Sequence, residues 1–83
     1  MTIHAIPLSK LPVGYSGIVF ALSSTERVRR RMLDLGLIGG TNVQSLRRSP
    51  SGDPTAYEIR GAVIALRSGE ADQVWVLPVN REN

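Results

Sequence analysis

Residues 31–40, RMLDLGLIGG, end a helix, turn on glycine and lead into a strand. Val28, Met32 and Leu35 recur at the spacing of one helical face, so the helix is predicted to bury that stripe. Gly36 follows where a terminating residue takes the left-handed conformation, which glycine adopts without steric cost. Leu37 is then placed to fold back on the last turn, as in a Schellman motif.

The start of this helix is predicted within Ser23-Ser24-Thr25-Glu26. A serine hydroxyl and the carboxylate of Glu26, three residues further on, can each accept a hydrogen bond from the other residue's backbone amide. This capping box indicates the amino-terminal end of a helix.

Short alternating segments separated by turn residues occupy most of the remaining chain, and they predict strands. The alternation places Ile18 and Phe20, and likewise Tyr57 and Ile59, on faces that point to the core. Near the end of the chain, Val74 and Val76 are predicted to point inward. The predicted strands cover residues 16–21, 43–48, 55–60, 62–66 and 74–77, with a hairpin turn at 49–54 and one helical turn near 68–70.

Five to six short strands with one helix inserted early predict a mainly β protein. A strongly twisted sheet of this size curls to cover its own core, so the expected architecture is a small, partly open SH3-like barrel. The sequence has no internal repeat, low-complexity tract or linker-like run. We therefore expect residues 1–83 to form a single domain.

Composition bounds the possible functions. The 83 residues contain no cysteine, and ten basic residues oppose seven acidic ones, which gives a net charge of +3. This balance favours anionic partners, which include nucleic acid, acidic protein surfaces and lipid headgroups. The longest apolar run, residues 62–66, is far shorter than the roughly 20 residues that span a bilayer. No secretory signal is evident, so the cytoplasm is the expected location.

Residues that would support catalysis or tight metal binding are sparse. His4 is the single histidine, and the carboxylates have no recognised ligand spacing. Gly36, Gly39 and Gly40 follow a helix, whereas a phosphate-binding loop needs a strand before the glycines and a helix after them. The sequence therefore predicts no enzyme, no cofactor and no built-in metal site.

The predicted helix carries four arginines close together, at positions 27, 29, 30 and 31. At roughly 100° per residue they cover much of the circumference that the apolar stripe leaves free. Two interpretations remain open, a solvated polar face and a surface that binds a partner. Trp75 is similarly ambiguous: if its two neighbours point inward, the indole is either an exposed anchor or is covered by another segment.

Several motifs, taken in order, resemble the FeoA family of small proteins that assist the ferrous iron transporter FeoB. Gly39 stands where the family usually has proline, Met32 where it has leucine, and Ser45 at a strand position that is usually apolar. The similar segments are LSKLPVG (8–14), GIV (17–19), RMLDLGL (31–37), GTNV (40–43), SPSGDP (49–54) and IALR (64–67) with Glu70-Ala71.

The resemblance implies a non-enzymatic accessory protein of bacterial ferrous iron uptake that binds the cytoplasmic, GTPase-bearing part of FeoB. Such a protein would be located in the cytoplasm and would reach the inner membrane only through its partner. Its role in iron transport also implies an association with transition metal ion binding. Self-association is compatible with it. A small basic barrel that binds RNA is the alternative. The expected partner-binding residues are Arg27, Arg30, Arg31, Leu33, Leu37 and Trp75.

Overall fold

The computed structural model describes residues 4–22 and 25–79. Within them the chain forms one six-stranded antiparallel sheet with the strand order β1-β6-β2-β3-β4-β5. The strands are β1 (Ile6–Pro7), β2 (Ser16–Leu22), β3 (Asn42–Arg48), β4 (Thr55–Ile59), β5 (Ala62–Leu66) and β6 (Val74–Val79); the helices are α1 (Glu26–Asp34) and α2 (Ser68–Ala71), with a 3-10 turn at Leu8–Lys10. The mainly β prediction is confirmed, including the early helix and the short helical turn. None of the described helices is long and apolar enough to cross a membrane.

The inner face of the curved sheet holds the core. Tyr57 and Ile59 of β4 are buried, as are Val74 and Val76 of β6, which confirms their predicted orientation. The fully buried Met32 is the contribution of α1 to this core, and Val28 and Leu35 pack against it while remaining partly exposed. The helix therefore covers the core with the predicted stripe.

The end of α1 is the predicted Schellman motif. The amide of Leu37 donates to the carbonyl of Met32 at 3.0 Å, and that of Gly36 donates to the carbonyl of Leu33 at 2.9 Å. Gly36 has a φ of +96°, the left-handed conformation that favours glycine. The hydroxyl of Thr41 then donates to the Gly36 carbonyl at 2.9 Å, which fixes the chain after the helix.

The start of α1 falls within the predicted stretch, residues 23–26. The helix begins at Glu26 with Thr25 at the N-cap position, and Thr25 makes no side-chain capping hydrogen bond. Ser23 and Ser24, to which the capping box was assigned, lie outside the described residues.

The predicted orientation of β2 is wrong for Ile18 and Phe20. The inward residues are Gly17 and Val19, while Ile18 is only half-buried and Phe20 is 63% exposed. The pairing with β6 shifts between Val19 and Ala21, so Phe20 is the extra residue of a β-bulge. Residues 16–20 do alternate, but Gly17 and Val19 face inward, so the predicted phase is reversed; the bulge interrupts the period of two only after Phe20.

The predicted hairpin turn 49–54 connects β3 to β4, and its loop is tied to α2. The Asp53 carboxylate accepts a hydrogen bond from the Ser68 amide at 2.9 Å and lies 3.9 Å from the Arg67 guanidinium. The first amides of a helix lack partners within the helix, so Asp53 satisfies one of them from a distant loop. The loop and α2 are thereby held together.

Candidate docking surface

The outward face of α1 carries an exposed leucine among charged side chains. Leu33 keeps 40% of its surface exposed, although the helix buries the opposite stripe. Glu26, Arg29, Arg30 and Asp34 lie around it, and with Leu33 they line a shallow depression of about 460 Å³. Leu33 therefore lies off the core stripe of α1 and is accessible to a partner.

Spacing on the helix explains why these residues meet. Arg29 precedes Leu33 by four residues and Arg30 precedes it by three, so all three share one side of the helix. The guanidinium of Arg29 also donates to the carbonyl of Leu22 at 3.3 Å, across the connection from β2. Arg29 was left out of the expected binding set, although its spacing from Leu33 could have included it.

The other predicted arginines differ in what they contact. Arg31 pairs with Glu70 of α2 at 2.9 Å, so its charge links the two helices. Arg30 lies 3.7 Å from Glu26 in a pair whose side chains are 75% and 86% exposed. Exposed pairs of this kind contribute at most about 1 kcal/mol, so Arg30 can exchange its partner at little cost. Arg27 is also exposed.

Leu37 must be removed from the expected binding set. It is fully buried, with no exposed surface, because it is the residue that folds back on α1 in the Schellman motif. A side chain that completes the core cannot contact a partner unless the helix end opens. The next residue, Ile38, is 45% exposed and provides apolar surface in its place.

Trp75 lies on a different part of the molecule. It is half-buried on the outer face of β6, opposite Ala21 of β2 and Pro7 of β1 in the strand register. Neither of the two earlier alternatives describes it fully, since the indole is neither fully exposed nor fully covered. The structure does not place Trp75 among the residues around Leu33.

Two exposed aromatic side chains, Phe20 and Tyr15, were not expected to matter for binding. Tyr15 keeps 45% of its surface exposed, beside the 63% of Phe20. The amide of Gly40 donates to the carbonyl of Val19 at 2.9 Å, which brings the turn after α1 beside the Phe20 backbone. Phe20 and Ile38 are therefore on neighbouring segments.

A polar cleft of about 520 Å³ lies between the Leu8–Lys10 turn, β4, the 49–54 loop and α2. Lys10 and Arg48 line it together with Asp53 and Asp72, so its charges are balanced. The Ser9 hydroxyl donates to Asp72, and Asp53 holds α2 as described above. The two carboxylates of the cleft therefore have structural contacts: Asp72 with the Leu8–Lys10 turn and Asp53 with α2. Across residues 4–22 and 25–79, no group of three or more histidine or acidic side chains could hold a metal ion.

Comparison with known families agrees with the motifs. The chain belongs to the FeoA family, since the FeoA domain model matches residues 6–78. Membership makes it a non-enzymatic accessory protein of ferrous iron transport with an SH3-like fold. No curated protein sequence matches the chain.

Solved structures share the fold over nearly the whole chain. A FeoA-like protein from Clostridium acetobutylicum is 29% identical with a TM-score of 0.88, and the match covers 100% of this chain and 95% of that one. The FeoA protein of Chlorobium tepidum is 32% identical with a TM-score of 0.84, covering 94% and 74%. The FeoA of Stenotrophomonas maltophilia, solved in complex with zinc and described as a prokaryotic SH3 domain protein, is 28% identical with a TM-score of 0.75, covering 92% and 89%.

Proposed function

We propose that this protein assists ferrous iron uptake by binding the cytoplasmic, GTPase-bearing part of a FeoB-type transporter through the outward face of α1. The docking surface consists of Arg27, Arg29, Arg30 and Leu33, with Ile38 at its edge. Residues 1–83 would act together as one FeoA-like domain located in the cytoplasm, at the membrane only through this partner. Iron is the cargo of the transporter in this proposal.

The exposed Leu33 carries this proposal. Leu33 lies outside the core stripe of α1, and 40% of its surface remains available to a partner. Burying the remaining exposed part of the side chain against a partner would contribute on the order of 1 kcal/mol. An apolar contact of this size gives little specificity by itself. Charged neighbours add specificity because they fix the orientation of the two proteins in the complex.

The arginines supply that orientation and indicate the chemistry of the partner. Arg29 and Arg30 border Leu33, and the ion pair between Arg30 and Glu26 is exposed and long at 3.7 Å. An acidic patch on the transporter domain would attract this face during encounter and replace Glu26 as the partner of Arg30. Arg31 is assigned to holding α2 because its guanidinium is already paired.

RNA binding remains a second candidate because Phe20 and Tyr15 are exposed. Proteins that bind single strands stack bases on exposed aromatic rings beside positive charge. Phe20 was predicted to face the core, but it is 63% exposed. The arginines of α1 and the exposed ring of Phe20 together satisfy part of that requirement.

A direct titration distinguishes the two candidates. The purified protein is titrated against the soluble cytoplasmic domain of the host FeoB-type transporter, and separately against single-stranded RNA, each at two salt concentrations. Saturable binding to the transporter domain that survives the higher salt, with weak and salt-sensitive RNA binding, supports the accessory role. Tight RNA binding without transporter binding would establish the alternative, since phosphate contacts dominate such affinity.

A further inference from the structure

The two edges of the sheet differ in how they are protected. The edge strand β1 has two residues, one of which is Pro7 and therefore lacks an amide donor. The opposite edge is β5, a run of five residues, Ala62–Leu66, without proline or charge. Within the described part of the chain, β5 pairs with β4 alone, and its register with β4 contains no bulge. Long, regular apolar edges of this kind readily pair with another strand.

The register shows which backbone groups of β5 remain available. Ile59 and Ala62 face each other across a two-residue turn, so they form a reciprocally hydrogen-bonded pair. Because such pairs alternate along an antiparallel ladder, the amides and carbonyls of Ala62, Ile64 and Leu66 point toward β4. Those of Val63 and Ala65 point outward from the edge of the sheet.

The side chains at these two positions are apolar and accessible. Val63 is 63% exposed and Ala65 is also exposed, whereas Leu66 is buried and Ile64 packs against the core. The outward positions thus combine unpaired backbone groups with apolar side chains that tolerate contact with another strand. A charged residue at such a position is one of the devices that protect an edge strand from pairing.

We infer that β5 pairs antiparallel with β5 of a second copy of this chain, with Val63 opposite Ala65 of that copy. About a two-fold axis this register repeats itself, because Ala65 then faces Val63 of the second copy. Each of the two pairs exchanges both backbone hydrogen bonds, and Ile64 faces its own equivalent at the axis. The outward groups of β5 are all satisfied by this arrangement.

The register favours a second copy as the occupant, because the pairing of Val63 with Ala65 repeats itself about the two-fold axis. In this register Arg67 lies opposite Gly61 and Arg60 lies opposite Ser68, so no two arginines face each other directly, although Arg60 of one copy lies one position from Arg67 of the other. Two copies that each carry a net charge of +3 still repel at longer range, and salt screens this repulsion. One short pair of strands covers far less than the roughly 1,200–2,000 Å² of a stable interface, so the dimer is weak and strengthens with salt.

Sedimentation velocity tests this pairing in solution, over protein concentrations from about 10 μM to 1 mM at low and high salt. The wild-type mass is expected to rise with concentration, and more steeply at high salt. Val63→Lys places a charge on the edge and should raise the dissociation constant of the dimer at least tenfold. Val13→Lys makes the same change at an exposed valine away from β5 and should behave as the wild type.

Two results overturn the inference. A wild-type chain that stays monomeric throughout this range would leave the edge to an extended segment of another protein. If Val63→Lys leaves the dissociation constant of the dimer unchanged, the chain self-associates through another surface. None of the residues in the docking surface is altered, so the transporter titration and this experiment succeed or fail independently.

Disulfide formation then tests the register, because the chain has no cysteine of its own. When Val63→Cys and Ala65→Cys proteins are mixed and oxidised, the mixed dimer should predominate, since paired Cα atoms lie about 5.5 Å apart. Each variant alone would have to bridge a diagonal beyond the roughly 7 Å limit of a disulfide. Equal yields of the three dimers would contradict the proposed register.

Discussion

The side chain of Arg60 lies across Gly36, the residue that ends α1. A Cβ atom added to Gly36 would stand 2.7 Å from Cδ of Arg60, well inside normal carbon contact. Both residues have positive φ, +96° for Gly36 and +52° for Arg60. The end of the helix and the turn between β4 and β5 are therefore packed on each other.

Gly36→Ala is expected to lower the free energy of unfolding by about 2 kcal/mol. About 1 kcal/mol arises from placing a side chain on a left-handed residue, and the remainder from the contact with Arg60. In an Arg60→Ala background the substitution should cost at least about 0.5 kcal/mol less, because the crowding atoms are gone. Urea unfolding followed by Trp75 fluorescence measures all four members of this cycle. If Gly36→Ala lowers the free energy of unfolding equally in both backgrounds, the Arg60 side chain moves aside at no energetic cost.

Ser45 is a buried polar residue whose removal should stabilise the protein. It is fully buried, and its hydroxyl has no hydrogen-bond partner among the residues that the structure describes. Ser45→Ala eliminates this desolvated hydroxyl and is expected to raise the free energy of unfolding by about 1 kcal/mol. The family's apolar preference at this position has the same physical reason.

Thr41→Val is the matched control for that substitution. The Thr41 hydroxyl is also largely buried but donates to the Gly36 carbonyl at 2.9 Å. Replacing it with an isosteric apolar side chain should lower the free energy of unfolding by about 1 kcal/mol. Denaturant unfolding of both variants measures the contrast, and changes of the same sign would contradict this account of the two hydroxyls.

Stability at high pH should depend on Tyr57. Burial raises the pKa of the Tyr57 hydroxyl above its ordinary value of about 10. The folded state therefore retains a proton that the unfolded state loses, and stability falls as the pH rises from the unfolded-state pKa through the folded-state pKa, by up to about 1.4 kcal/mol per pH unit. Unfolding curves between about pH 8 and pH 11 should show this loss in the wild type.

Tyr57→Phe should remove this part of the pH dependence, because phenylalanine has no proton to lose. Tyr15→Phe is the control, since Tyr15 is 45% exposed. An equal pH dependence in the wild type and in Tyr57→Phe would show that another group causes the alkaline loss of stability.

Local signals explain which parts of the fold could be predicted. The end of α1 is specified by neighbours in sequence, because Gly36 supplies the left-handed residue and Leu37 the apolar contact that a Schellman motif needs. The same motif buries Leu37, so the pattern that located the helix end also contradicts the assignment of Leu37 to the binding set. Leu33 lies about 140° from Val28 around the helix, and this spacing accounts for its exposure.

Non-local features were missed. The bulge at Phe20 arises where β2 passes between β6 and the turn after α1, and no local pattern in residues 16–22 marks it. The strand β1 has only two residues and contains Pro7, so it carries no alternation to detect. The pairing of Arg31 with Glu70 joins segments far apart in sequence. Sequence spacing therefore could not separate Arg31 from the arginines that border Leu33.

The most direct test of the docking surface compares two substitutions in one binding assay. Leu33→Asp places a negative charge where the account requires apolar contact beside arginines, and Val13→Asp makes an equivalent change at a valine that is 46% exposed away from α1. Both proteins are titrated against the cytoplasmic domain of the FeoB-type transporter after equal stability is verified. The account predicts that Leu33→Asp weakens binding at least tenfold, about 1.4 kcal/mol, while Val13→Asp binds as the wild type. Unchanged affinity for Leu33→Asp would contradict the assignment of α1 as the docking surface.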